Sequence, residues 1–330
     1  MTKTLTVALL LAMASLAWAE EAAKPPEEPA DSIMGEYFGT FTPQGGQAIK
    51  AEGRVIAEGN SGYRAVLTWK AADGKGARIE LTGKAEGQTV ALAGKAGDVE
   101  WVGKCIGGEK LVAESKDARF EGKWTVRKSP TLGAKPPEGA IVLLPFEEGK
   151  PPAVDEWENK PWAPMPDGSL MVRGGDIHTK RAFGNVKLHV EFRTPFMPTA
   201  RGQGRGNSGV YLQSRYEVQV LDSFGLELKD NECGGIYSVG PAKEYAPLPP
   251  GQWQTYDIEF KAPEVKDEKM AKPARITVVF NGIKVHEDQP IDHTTTSGDG
   301  GPPQAKAPLK LQDHGNPVRF RNIWIVEQKE

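Results

Sequence analysis

Several short segments in the second half of this 330-residue chain alternate apolar side chains with groups able to do chemistry. In KLHVEFR, His189, Glu191 and Arg193 share one side of an extended chain, and Leu188, Val190 and Phe192 share the other. Glu217 and Gln219 oppose Tyr216, Val218 and Val220 in YEVQVLD, while Tyr211 and Gln213 alternate with Val210 and Leu212. The same period puts Trp253, Thr255, Asp257 and Glu259 opposite Tyr256, Ile258 and Phe260, and Arg319 and Arg321 opposite Val318 and Phe320. One face of these strands therefore packs a core, and the other carries carboxylates, amides, guanidinium groups and aromatic rings. That mixture suits a saccharide: paired donors and acceptors meet vicinal hydroxyls, and rings meet the apolar C–H faces. A solvated sheet face gives the same alternation, so two readings stand at this level.

Other patterns narrow the chemistry. The glycine cluster RGQGRGNSG (201–209) lacks the spacing of a phosphate-binding loop and reads as a rim loop. The five histidines form no H-x-x-x-H pair, so no conventional zinc site is indicated. His314, in QDHGNP beside Asp313 and Gln312, is either a functional group or a turn histidine bonded to backbone. A net charge of −3, from 41 basic and 44 acidic side chains spread along the chain, provides no basic stripe for nucleic acid.

These groups must be held by strands. With 38 glycines and 26 prolines, the composition points to many short strands joined by turns, and the expected class is all-β. Residues 1–19 read as a secretory signal: Lys3, an apolar run from Leu5 to Leu16, and Ala17-Trp18-Ala19 ahead of cleavage after Ala19. The run is too short to span a bilayer, so membrane insertion is not expected and the location is secreted or periplasmic. Residues 20–34 form an acidic, Pro-rich leader. Between residues 35 and 128, eight strand segments separated by glycine turns predict an antiparallel meander, as a small barrel or sandwich. Residues 129–139 (SPTLGAKPPEG) form a linker, and strand signals resume over 140–330, predicting a β-sandwich. GGIYSV (234–239) is read as one of those strands, and 262–274, charged and without periodicity, as a surface excursion. Cys105 and Cys233 either bridge the two halves or stay as buried thiols.

DGSLMVRGGDIHTKRAFGNVKLHVEFR (167–193), GNSGVYLQSRYEVQVLDSFG (206–225), CGGIYSV (233–239), PPGQWQTYDIEFKAP (249–263), ARITVVFNG (274–282) and LKLQDHGNPVRFRNIWI (309–325) occur in an order that resembles the bacterial 3-keto-disaccharide hydrolase domain. The resemblance covers about Ile141 to Val326 and leaves the first half unassigned. It implies a concanavalin-A-like jelly roll whose concave face binds sugar. Laminarinase-type relatives place carboxylates at E-x-D-x-E, or E-x-D-x-x-E with a bulge. Here Glu217 matches the first, Gln219 replaces the helper, and Asp222 stands nearest the last. A 3-keto substrate instead implies C2 proton abstraction, elimination at C1 and hydration. In that chemistry Glu217 is the expected base, with Glu191 competing for the role. His314 is the acid or a ligand to a divalent metal ion. Arg193 or Arg319 steadies the enolate, Asn207, Gln219 and Gln312 bind hydroxyls, and Tyr211 lines the sugar face. A non-catalytic, lectin-like module and a laminarinase-like endo-glucanase are the alternatives.

Overall fold

The computed structural model describes residues 31–71, 73–158 and 162–329. The export signal and most of the leader lie outside the described residues. The architecture is all-β, with a single 3-10 turn at Gly202–Gly204 among the described residues.

The first half is a closed eight-stranded meander. Its strands are β1 (Gly35–Pro43), β2 (Ile49–Gly59), β3 (Gly62–Lys70), β4 (Gly76–Glu86), β5 (Thr89–Ala96), β6 (Val99–Ile106), β7 (Lys110–Glu114) and β8 (Ala118–Thr125), with β8 pairing back onto β1. Alternation fills the interior with Tyr37, Val55, Leu67, Leu81, Leu92, Leu111 and Phe120. Closure leaves no free edge, the usual weakness of a small sheet. Gly39 and Gly83 sit where a Cβ would collide with the neighbouring strand's carbonyl, so only glycine lets those strands pass so closely.

The second half is a sandwich of two antiparallel sheets. The first sheet has the order β10 (Trp157–Glu158), β13 (Ile177–Phe183), β22 (Ala307–Leu311), β15 (Ser208–Leu212), β16 (Tyr216–Val220). The second runs β11 (Ala163–Pro164), β12 (Leu170–Met171), β23 (Arg319–Glu327), β14 (Val186–Arg193), β17 (Gln254–Lys261), β20 (Ala274–Phe280), β21 (Ile283–Ile291), with β9 (Ile141–Leu144) also on β23. Their inner faces share one core: Val210, Leu212, Val218, Val220 and Leu311 on one side, Leu188, Val190, Phe192, Ile258 and Phe320 on the other. The fully buried Trp157 donates its indole N–H to the Leu143 carbonyl at 2.8 Å, so its polar edge is satisfied within that core.

Two segments differ from the sequence reading. GGIYSV is not a strand: Ile236 bridges Val218 and Gly240 within a turn, because positive φ at Gly234 and Ser238 curls the chain before a ladder can extend. The charged excursion contains a hairpin, β18 (Glu264–Lys266) and β19 (Lys269–Lys272). Asp267 and Glu268, both at positive φ, make its two-residue turn, and that backbone leaves no mark in apolar periodicity. The bridging alternative for the cysteines is also overturned: Cys105 lies in the barrel core and Cys233 in the sandwich core, both as free thiols.

Candidate functional site

The outer face of the five-stranded sheet gathers Glu217, Gln219, Tyr211 and Lys310 through adjacent strands. Tyr211 is the direct cross-strand partner of Glu217 on one side and of Lys310 on the other. Opposite Gln219 the partner is Gly209, and a Cβ there would lie 2.5 Å from Glu217 Oε1 and 2.6 Å from the Tyr211 ring. That missing side chain is the space the carboxylate occupies. Glu217 is 2 % exposed. Burial pushes its carboxyl up to about 8, against the opposing pull of a Tyr211 hydrogen bond and the Lys310 charge. Burial and the neighbouring Glu217 likewise raise the Tyr211 phenol, which stays protonated. Gln312 Nε2 donates to the Tyr211 oxygen at 3.0 Å, and the Lys310 ammonium lies 4.3 Å from the centre of its ring.

Loops close round this floor. The backbone N–H of Glu217 donates to Thr295 Oγ1 at 2.9 Å, tying β16 to the 294–300 loop. Gln203, Asn207 and Gln219 interlock: Asn207 Nδ2 donates to Gln203 Oε1 at 3.0 Å, and Gln219 Nε2 reaches the same oxygen at 3.2 Å. The acceptor oxygens of Asn207 and Gln219 are buried without a donor, and a sugar hydroxyl is the kind of group that satisfies them. His314 is exposed on the turn leaving β22. Its neighbour Asp313 accepts from Gly175 N at 2.8 Å and donates its own N–H to Asp176 Oδ1 at 2.8 Å.

Glu191, Arg193 and Arg319 are not part of this assembly. They project from β14 and β23, on the outer face of the other sheet, with the shared core between them and Glu217. Arg193 and Arg319 both engage Asp167, at 3.2 and 2.9 Å. Glu191 is saturated, accepting from Gly133 N at 2.6 Å, Arg321 Nε at 2.7 Å and Asn322 Nδ2 at 2.8 Å. Burial alone would raise its carboxyl, but the His189 ring 3.5 Å away, the Asn322 bond and the Arg321 charge outweigh it and hold the group at about 2. His189 donates to Asp257 at 2.6 Å and stacks on Trp324. Thr131 donates to the other Asp257 oxygen at 2.6 Å. This face clasps the 129–134 segment, and its buried carboxylate, Glu191, is already engaged by donors. Alternation sorts side chains within a strand but is silent on which sheet the strand joins, and that is why the two faces merge in the sequence.

Lys310, His178, Asp176 and Asp299 join the site without having been singled out from sequence. Lys310 Nζ lies 2.8 Å from Asp299 and 3.8 Å from Asp176, and His178, its cross-strand partner, lies 3.4 Å from Asp299. PLKLQ carried the signal: Lys310 and Gln312 alternate with Leu309 and Leu311. The loop aspartates had none. For a divalent ion the donor set fits poorly, since an ammonium already stands between the two aspartates, and among the described residues no three His, Cys, Asp or Glu side chains converge on a point.

A 2.13 Å crystal structure of a "putative glycosyl hydrolase" from Parabacteroides distasonis ATCC 8503 is 35% identical over 58% of this chain and 85% of its own, with a TM-score of 0.52. A 1.70 Å structure of the same description and organism is 21% identical over 58% of this chain and 95% of its own, at a TM-score of 0.43. A comparison with curated proteins returned no match. The model of the 3-keto-alpha-glucoside-1,2-lyase-like domain matches residues 139–326, more than half of the chain, and the protein belongs to that family.

Proposed function

We propose that this carbohydrate-active protein is an exported enzyme that cleaves 3-keto-glycosides, with Glu217 as the base. The observation that supports the reading best is a glutamate sunk in a polar sheet face and raised to about 8, beside a protonated tyrosine and a lysine. A ketone at C3 makes the C2 proton acidic. Ionised Glu217 takes that proton, and its raised affinity makes it a stronger base than a solvated carboxylate. The electron pair enters the C2–C3 enolate, whose oxygen the Tyr211 hydroxyl and the Lys310 charge stabilise in the roles first given to Arg193 and Arg319. Re-forming the ketone drives C1–O cleavage. The departing oxygen takes a proton from His314 at the rim, leaving an enone across C1 and C2. Water then adds at C1 and a proton returns to C2, so the net change is hydrolysis. The family's description names a 1,2-lyase, the elimination half of this sequence. Asn207, Gln219 and Gln312 bind ring hydroxyls, and export rests on Lys3, the Leu5–Leu16 run and Ala17-Trp18-Ala19.

The test is incubation with a 3-keto-glucoside and its unoxidised parent. Release of the aglycone from the keto sugar alone is expected. Binding without turnover marks a lectin-like module, and cleavage of unoxidised β-glucan marks an endo-glucanase.

A further inference from the structure

We infer that the barrel positions the loops framing Glu217, and that Phe224 is the wedge through which it acts. The inference rests on reading the Glu217 face as the active site. It begins with a break in pattern. Most barrel strands alternate, but Val55-Ile56-Ala57 on β2 and Ala65-Val66-Leu67 on β3 are continuously apolar and fully buried. Val55, Ala57, Ala65 and Leu67 point into the barrel, so Ile56 and Val66 point out and need a cover.

That cover is the turn after β16. Phe224, fully buried, belongs to the barrel's apolar cluster although it sits four residues beyond Val220, the end of the strand that carries Glu217 and Gln219. Gly225 has φ +75, and a Cβ on it would run into Ile56. The barrel also grips the turn's backbone: Arg78 Nη2 donates to the Gly225 carbonyl at 2.9 Å. Gly225 N donates to the Tyr245 hydroxyl at 2.5 Å, and the Arg54 guanidinium lies 3.6 Å over the Tyr245 ring.

Two residues of the same turn, Asp222 and Ser223, hold the site loops. Asp222 accepts from Arg205 Nε at 2.6 Å, a buried pair two residues from Asn207. Ser223 donates to Glu232 at 2.6 Å and accepts from Cys233 N at 2.8 Å. The 232–235 stretch in turn bonds both backbone groups of Gln219, through Gly235 O at 2.9 Å and Gly234 N at 3.0 Å. Displacing Phe224 therefore loosens, in one movement, the loops carrying Asn207 and flanking Gln219. A well-packed wedge fixes position because interiors shift between discrete packings and do not deform smoothly.

The experiment compares full-length wild type, Phe224→Ala and Phe224→Leu by amide hydrogen exchange and by kinetics on a 3-keto-glucoside. Phe224→Ala is expected to speed exchange about tenfold or more over 203–207 and 230–236 while β4–β7 and the β20–β21 hairpin keep their protection. It should also raise KM about tenfold with kcat changed less, and Phe224→Leu should restore most of both. Unchanged exchange in the two loops overturns the inference, and so does an even rise through barrel and sandwich, which marks plain destabilisation. Should Phe224→Ala fail to fold, Val66→Ala, which trims the barrel surface under the turn, is read by the same criteria. If wild type leaves the keto sugar intact, the functional reading falls, and the exchange pattern still decides the wedge.

Discussion

Two glutamates on opposite outer faces of one sandwich, both almost wholly removed from water, are driven in opposite directions. Glu217 rises to about 8 and Glu191 falls to about 2. Burial pushes both up, so the difference lies in their neighbours. Glu191 has a backbone N–H, an amide and a guanidinium aimed at its oxygens, and desolvation is more than compensated. Around Glu217 a phenol and a more distant ammonium do not make good the lost water. A carboxylate with donors on both oxygens holds structure together. One left short of donors keeps its appetite for a proton, which a base needs.

The largest effects come from removing each charge in turn. Glu217→Gln should lower turnover of the keto sugar about a thousandfold or more, within the range for a general base, while the fold and sugar binding persist. Unchanged turnover removes Glu217 from the chemistry. Glu191→Gln should do the reverse: turnover is kept, but unfolding free energy drops by about 3 kcal/mol, because Arg321 loses its buried partner. Urea titration reads that loss.

Acidity sharpens the contrast through opposite signs. Starting from an ordinary value of 4.5, Glu217 is raised in the folded state. Its contribution to stability is fully present below pH 4.5 and is lost as pH climbs to about 8, by up to ~1.4 kcal/mol per pH unit. Glu191 is depressed from the same 4.5, so its contribution is present above that pH and is lost on acidification toward about 2. Urea midpoints should therefore show Glu217→Gln gaining on wild type between pH 5 and 8, and Glu191→Gln losing less than wild type below pH 4. Parallel curves would mean that the two environments do not differ as described.

The strands of both halves were legible because period two survives wherever one face is buried, and Glu217, Tyr211, Gln219 and Gln312 came with them. The grouping of Glu191, Arg193 and Arg319 with Glu217 failed for a definite reason. A strand's own alternation states which side chains face away from the core, but a sandwich has two such directions, and long-range pairing decides between them. Asp176 and Asp299 were out of reach because loops have no period. The dock for Phe224 was written in the sequence as two three-residue apolar runs that break the alternation, but nothing local says what covers them.

Gly209 tests the Glu217 side of the comparison at smaller cost. In Gly209→Ala the new methyl lands 2.5 Å from Glu217 Oε1 and 2.6 Å from the Tyr211 ring, both buried, so one of them must shift. About 2 kcal/mol of stability should be lost to overpacking. The ascending, acidic limb of the pH–rate profile should also move to lower pH, since the displaced carboxylate no longer sits where water is excluded. A variant with wild-type stability and profile would show that the pocket floor yields freely.

The smallest effect belongs to the clasp on the Glu191 side. Thr131 donates to Asp257, whose other oxygen accepts from His189, and His189 in turn lies 3.5 Å from Glu191. In Thr131→Val the shape is kept and one hydroxyl is lost. Asp257 is partly open to solvent and can take a water in its place, so the cost should be about 1 kcal/mol by urea titration, with turnover unchanged. A loss as large as that of Glu191→Gln would mean the imidazole and both carboxylates act as one unit, in which removing any donor collapses the rest. An additive double variant, Thr131→Val with Glu191→Gln, would mean the 129–134 segment is held by separate bonds. The short bonds stop at His189, whose Nε2 lies 3.5 Å from Glu191 without a hydrogen bond, so the two substitutions should add.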